Sequence, residues 1–222
     1  MKKCIFIIAL FFFGFTQLSH AQESPVNFGV RGGINIADWR GDAAESFSSF
    51  ADKSGVFKVE NLTGYHFGGY ATIPLSPIFT IEPGLNYSVK GMKVSQSIFE
   101  AGFLNLKGEI SSRLHYIELP VMAKVNITPG FHVYGGPQVA YLASSKLKAE
   151  AGILGFSVGK SFDVNSGFRD FDFGVVGGLG YEFMNGINIR AGYEHGLSTL
   201  DEGNPQINAY NRVIKFSLGY TF

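Results

Sequence analysis

The chain has 222 residues, among them 29 glycines, 22 phenylalanines and a single cysteine. Its 18 lysines and arginines balance 18 acidic residues, and no basic block favours a nucleic-acid partner. The one cysteine, Cys4, lies in an apolar leader, so the remainder of the chain excludes disulfide frameworks and cysteine chemistry. The length predicts one domain.

The first residues are typical of a secretory signal peptide. Lys2 and Lys3 precede an apolar run that begins at Cys4, and the small residues Ser19 and Ala21 end the segment. The apolar run is too short for a spanning helix. We therefore expect a signal peptide over 1–21 and a mature domain over 22–222.

Eight segments alternate apolar and polar residues with the period of two that is typical of strands. Each reaches the roughly 9–11 residues that a tilted membrane strand needs, and no other apolar run is long enough for a membrane helix. The segments lie at 26–37, 63–74, 78–91, 113–127, 131–143, 169–184, 187–197 and 212–222.

The connections between these strands alternate between long and short. Long segments lie at 38–62, 92–112, 144–168 and 198–211, and short turns lie at 75–77, 128–130 and 185–186. Outer-membrane barrels have an even strand number, short periplasmic turns and longer extracellular loops. The sequence therefore predicts an all-β fold, an eight-stranded antiparallel transmembrane β-barrel in the cell outer membrane.

Three of the long segments are expected to hold further structure. A capping box over 42–45, followed by apolar residues at helical spacing, predicts a short helix in the loop 38–62. Continued alternation in 92–112 and 144–168 predicts strand extensions above the membrane. Trp39 is expected in an exposed position, where it is a weak candidate for a partner contact.

The polar parity of the strands carries as many basic as acidic residues, and we expect them to face the lumen. A balanced lining favours a structural network of salt bridges over an ion-selective filter, because an eight-stranded barrel has room only for side chains. The expected network is Arg31, Glu82, Lys90, Glu118, Lys124, Asp172, Glu182, Arg190, Glu194 and Lys215.

Aromatic residues near the strand ends predict the two interfacial girdles of a membrane barrel. His132 and His195 are expected in girdle or rim positions. The aromatic set is Phe28, Tyr65, Phe79, Phe131, Phe183, Tyr220 and Phe222.

The closing strand 212–222 is the clearest case of alternation. Phe216, Leu218, Tyr220 and Phe222 share the apolar parity that is expected to face lipid, and the chain stops on this strand. A barrel must pair its last strand with its first, because an unpaired edge does not persist in lipid.

Seven pieces of sequence, which cover nearly every strand, resemble the PorT-like outer-membrane β-barrel proteins of Bacteroidetes. They are FGVRGGINIA (28–37), Ile73-Pro74-Leu75, IEPGLNYSVKG (81–91), YIELPVMAKV (116–125), GGPQVAYL (135–142), FDFGVVGGLGYEF (171–183) and NRVIKFSLGYTF (211–222). The resemblance implies an eight-stranded barrel, and the founding member is tied to protein secretion. It also implies that the terminal aromatic strand is the recognition signal for the barrel-insertion machinery.

The residues point to a protein without enzymatic activity, cofactor or metal. Its function is expected to be structural or of interaction type, exercised through the extracellular loops on an unknown ligand or protein partner, with support of secretion as one form. Two alternatives stay open, an enzyme that modifies outer-membrane lipid and a narrow pore. The lipid of the outer membrane and the insertion machinery are the other expected partners.

Overall fold

A computed structural model describes residues 26–41, 46, 49, 57–101, 104–153, 156–163, 169–200 and 209–222. The expected signal peptide and the capping box at 42–45 lie outside these residues. The strands are β1 (Asn27–Arg40), β2 (Phe57–Pro74), β3 (Phe79–Ala101), β4 (Leu104–Asn126), β5 (Phe131–Ile153), β6 (Phe156–Asp163), β7 (Phe171–Glu182), β8 (Ile187–Gly196) and β9 (Tyr210–Thr221).

Eight of these strands form a closed antiparallel barrel. The pairing runs from β4 through β3, β2, β1, β9, β8 and β7 to β5, and β4 also pairs with β5, which closes the ring. β6 lies outside the ring and pairs with the far end of β5. The predicted eight-stranded fold is therefore confirmed.

The predicted short turns lie together at one end of the barrel, which we call the turn end. Leu75 N donates to Phe79 O at 2.9 Å, and Ile127 N donates to Phe131 O at 3.0 Å. Gly186 has a φ of 84°, a left-handed conformation that favours glycine at this position of a hairpin.

The opposite end, which we call the loop end, differs most from a simple barrel. Most of segment 92–112 belongs to β3 and β4, and much of 144–168 belongs to β5 and β6. The predicted strand extensions are thus present. Between residues 42 and 56 the structure describes Ser46 and Ser49, and both are helical.

The outer wall is apolar over the full width of the barrel. At the turn end, Tyr181 packs against Phe183 with ring centroids 4.9 Å apart, and Tyr220 packs against Phe222 at 5.3 Å. The other band is at the loop end and includes Tyr65, Phe67 and Tyr87. Two aromatic bands that flank an apolar belt match the surface of a membrane barrel.

The lumen is filled with side chains and closed at the loop end by an apolar group, the mouth cluster. Leu200 belongs to the β8–β9 connection and is held there because its N–H donates to Ala209 O at 2.8 Å. The expectation for Trp39 was wrong: it lies in β1, on the lumen parity, and packs against this cluster. The mouth cluster consists of Trp39, Leu114, Tyr116, Ala140, Leu142, Leu200 and Ala209.

Among the described residues, no helix is long and apolar enough to cross a membrane.

Candidate functional site

Four lumen side chains form a closed ring of ion pairs, the charge ring. Lys90 lies 2.6 Å from Glu118 and also contacts Glu194, while Lys215 lies 2.8 Å from Glu118 and 2.6 Å from Glu194. The four residues come from β3, β4, β8 and β9, so the ring crosses the lumen. Each ammonium group therefore has two carboxylate partners, as burial of charge requires.

A second cluster, the arginine triad, lies nearer the turn end. Arg190 donates two hydrogen bonds to Glu82, at 2.7 and 2.6 Å, in the bidentate geometry that makes such pairs strong. Arg31 donates to the same carboxylate at 3.0 Å. The Arg31 guanidinium lies 4.1 Å from the Tyr70 ring centre, and Arg190 lies 5.0 Å from that of Tyr134.

The remaining three residues of the expected network lie at the two ends of the lumen. Lys124 pairs with Glu182 at 3.0 Å beside the turn end, where the Glu182 side chain is 30% exposed. Asp172 accepts a hydrogen bond from Asn211 at 2.7 Å, below the mouth cluster. The structure thus brings nine of the ten residues into ion pairs, and Asp172 is the exception.

A buried histidine links two strands in a way that the alternation pattern did not reveal. His66 Nδ1 lies 2.7 Å from Asn35 Oδ1, and His66 Nε2 lies 2.8 Å from Ser217 Oγ. The Asn35 amide nitrogen donates to the carbonyls of Tyr65 and Val89, so its oxygen faces the histidine. That places the proton on Nδ1 and makes Nε2 the acceptor for the Ser217 hydroxyl.

Other lumen residues also depart from expectation. His132 is fully buried in the lumen near the turn end, so its expected rim position was wrong. The reason is that His132 shares the polar parity of β5, which faces the lumen as far as this end of the strand. Tyr134 fills the lumen centre because Gly192 faces it, where a Cβ would lie 2.3 Å from the tyrosine hydroxyl. His195 lies on the outer wall beside Tyr193. Groups of metal-ligating residues are absent from the described part of the chain.

The strands at the loop end continue beyond the barrel as a five-stranded antiparallel sheet, the projecting sheet. Its members are 57–61 of β2, 92–101 of β3, 104–115 of β4, 144–153 of β5, and β6. Within the described residues, β6 pairs with β5 alone, so its second edge carries unpaired backbone groups. Such an edge is a template for pairing with another chain.

The two faces of the projecting sheet reverse the polarity of the barrel wall. Val94 and Ile110 share the parity of the lumen residues of their strands and are paired with each other. Bulges in β2 and β5 shift the parity so that Val59 and Leu147 join the same face. This face is apolar, whereas residues of the lumen parity inside the barrel are mostly polar.

Charged pairs occupy the opposite face of the projecting sheet. Lys93 lies 2.8 Å from Glu60 and 3.5 Å from Glu109. The hydrogen bond from Lys93 lowers the pKa of Glu60, and the same bond raises the pKa of Lys93. A charged outward face indicates that this part of the sheet stands in water, above the apolar belt.

The closing strand lies where the alternation placed it. Phe216, Leu218, Tyr220 and Phe222 are all exposed on the apolar outer wall. β9 pairs with β1 from Arg40↔Tyr210 to Gly29↔Thr221. The N–H of the last residue donates to Phe28 O at 2.8 Å, so pairing of the two strands extends to the end of the chain.

A closed, even-numbered barrel with an apolar outer wall, aromatic bands and a charged lumen defines a transmembrane β-barrel protein. The family described as "Outer membrane protein beta-barrel domain" matches residues 15–202. The chain belongs to this family, and its location is the outer membrane.

Two solved structures of bacterial proteins are similar to the chain. Ail, the attachment invasion locus protein of Yersinia pestis, is 15% identical with a TM-score of 0.47, and the match covers 90% of this chain and 100% of Ail. Neisserial surface protein A is 13% identical with a TM-score of 0.45, with 90% and 100% covered. No curated protein matches the chain.

Proposed function

We propose that the protein is an interaction barrel, which holds its lumen closed and presents the projecting sheet to a protein partner outside the cell. The observation that carries this proposal is the projecting sheet itself. It combines an apolar face, a charged face and the free edge of β6 at the loop end. Edge pairing gives affinity through backbone hydrogen bonds, and neighbouring side chains give specificity.

The filled lumen supports interaction rather than conduction. The charge ring crosses the middle of the barrel, and the mouth cluster covers it at the loop end. A cavity of about 50 Å³ lies beside the arginine triad. It is large enough for a few waters, and each lysine and arginine around it is already held by a carboxylate.

A lipid-modifying enzyme is the alternative that one observation favours. Ser217, His66 and Asn35 are connected in the order nucleophile, base and orienting group. The serine hydroxyl faces the lumen, however, and the adjoining cavity of about 50 Å³ is too small for an acyl chain. We therefore assign the three residues to the polar filling of the barrel. Ser217→Ala should leave the lipid composition of the membrane unchanged.

Export and assembly are a further part of the proposal. Residues 1–21 act as a signal peptide, and Phe216, Leu218, Tyr220 and Phe222 present the insertion signal. The exposed aromatic pair at the chain end supports the second assignment. The similarity to PorT-like proteins makes a component of a secretion machine the first partner to test.

Two positions on β4 provide a matched test of the interaction surface. Ile110 lies on the apolar face of the projecting sheet and is 50% exposed, and Leu119 lies on the membrane wall and is 52% exposed. A photo-crosslinking amino acid at position 110 in intact outer membranes should give adducts with protein. The same group at 119 should give none of these adducts.

The proposal would be contradicted by equal adduct patterns at 110 and 119. A change of membrane lipid in Ser217→Ala would favour the enzyme instead.

A further inference from the structure

The arginine triad holds more positive than negative charge. Two guanidinium groups, Arg31 and Arg190, share the single carboxylate of Glu82. The Arg190 and Glu82 side chains are 3% and 2% exposed and the Arg31 side chain is 14% exposed, so most of this cluster is shielded from water. With arginine always protonated in proteins, the triad carries a net charge of +1.

Neighbouring groups of the lumen do not supply the missing negative charge. The charge ring is neutral, with two lysines and two glutamates, and Lys124 is matched by Glu182. Asp172 is the remaining lumen carboxylate among the described residues, and it lies on the far side of the ring, bonded to Asn211. An uncompensated buried charge is expensive.

Aromatic rings compensate only part of this excess. The faces of Tyr70 and Tyr134 lie 4.1 and 5.0 Å from the two guanidinium groups. Such cation–π contacts stabilise a buried cation, but they place no negative charge beside it. The triad thus keeps a net positive charge that a bound anion would neutralise.

The cavity beside the triad has the size and lining to hold such an anion. Its volume is about 50 Å³, several times the roughly 10–15 Å³ that one water needs. Its lining includes Arg31 and Arg190 of the triad, together with Gln138 and Tyr134, which carry further hydrogen-bond donors. The Nε atoms of Arg31 and Arg190 are buried and donate to no other protein atom in the described structure.

We propose that this cavity binds one small monovalent anion of the halide class, between Arg31 and Arg190, and that the anion neutralises the triad. The ligand class follows from charge and size, because a single negative charge balances the cluster and a cavity large enough for a few waters accommodates one halide ion. The site is structural and is independent of any partner of the projecting sheet.

The first test measures the dependence of barrel stability on chloride. The full mature chain is folded in detergent micelles, and chloride is exchanged for gluconate at constant ionic strength. Above the dissociation constant, a tenfold rise in chloride should raise the folding equilibrium constant about tenfold, which is about 1.4 kcal/mol for one bound ion. The same stability in both salts would overturn the proposal.

Two variants separate a specific site from a general salt effect. Arg31→Gln leaves Arg190 and Glu82 as a one-to-one pair, so it should abolish the chloride dependence. Lys124→Gln removes a lysine at the turn end, outside the cavity lining, and should retain the dependence of the unmodified protein. Loss of the dependence in Lys124→Gln but not in Arg31→Gln would contradict the assignment.

A crystallographic measurement decides the matter even if a variant does not fold. Crystals of the unmodified protein grown in bromide should show one anomalous-scattering peak inside the barrel, between the two guanidinium groups. Absence of that peak at full bromide concentration would overturn the proposal, whatever the stability data show.

Discussion

Replacement of Glu118 by glutamine is the sharpest test of the charge ring. The side chain is fully buried and accepts contacts from Lys90 at 2.6 Å and Lys215 at 2.8 Å. Glu118→Gln keeps the shape but leaves two buried ammonium groups with one carboxylate, Glu194. Removal of one partner from a buried ion pair costs about 3–5 kcal/mol, since the partner charge stays buried. We expect a loss of this size.

A second substitution should recover part of that loss. Adding Lys215→Met to Glu118→Gln returns the ring to one lysine and one glutamate. Residues in one buried network show coupling energies of about 0.5–3 kcal/mol. The double variant should therefore be more stable than Glu118→Gln alone.

The control is the partly exposed pair at the turn end, Lys124 and Glu182. Their side chains are 7% and 30% exposed, and one carboxylate meets one lysine, so Glu182→Gln should cost less than Glu118→Gln, which leaves two buried lysines with one carboxylate. The assay is urea unfolding of the refolded barrel in micelles. It follows the fluorescence of Trp39, the single tryptophan, which packs in the mouth cluster. Equal losses in Glu118→Gln and Glu182→Gln would refute the reasoning.

Two further predictions concern assembly and the projecting sheet. Deletion of Phe222 should lower the amount of inserted barrel in cells far more than it lowers the stability of the barrel that does insert, whereas Phe173→Ala should lower stability and spare insertion. Quantitative membrane fractionation measures insertion, and urea unfolding measures stability. Equal insertion of the deletion variant and the intact protein would contradict this prediction. Glu60→Gln should cost about 0.2–1 kcal/mol at pH 7. Lys93 lowers the pKa of the Glu60 carboxyl group in the folded state. The stabilisation that ionised Glu60 provides is therefore fully present above the pKa of Glu60 in the unfolded chain, and it is lost as the pH falls through the pKa of Glu60 in the folded protein. Urea unfolding at several pH values checks this, and a constant difference between the two proteins would contradict it.

Alternation was enough to predict the barrel because membrane and lumen impose opposite polarities on one strand. The rule holds for residues such as Leu119 and Glu118, which are neighbours in β4 and lie on opposite sides of the wall. The same rule could not place Trp39, since β1 continues beyond its predicted end and carries that side chain into the mouth cluster.

Which lumen side chains form ion pairs depends on the distances between strands, and the alternation of residues along one strand gives no such distances. Glu118 meets lysines from β3 and β9, which are far from β4 in sequence, because the stagger of the closed barrel sets which levels face each other. Asp172 has the right parity but meets Asn211 rather than a lysine. Excess charge at the arginine triad likewise emerges only once the pairs are known.

The reversal of polarity in the projecting sheet could also not be predicted from the alternation of apolar and polar residues. Single extra residues form bulges in β2 and β5 and move Val59 and Leu147 to the other parity. A bulge changes one position, and a count of alternating residues reads it as an interruption. Because side chains alternate with a period of two, that one extra residue exchanges the two faces of the strand beyond the bulge.

The conductance of the intact protein tests the central claim, a closed lumen, most directly. The folded mature chain is inserted into planar lipid bilayers, and the current is recorded under an applied voltage. With the charge ring and the mouth cluster in place, the recordings should show no steady conductance above that of the bare bilayer. A stable, ion-selective step from the intact protein would contradict the account.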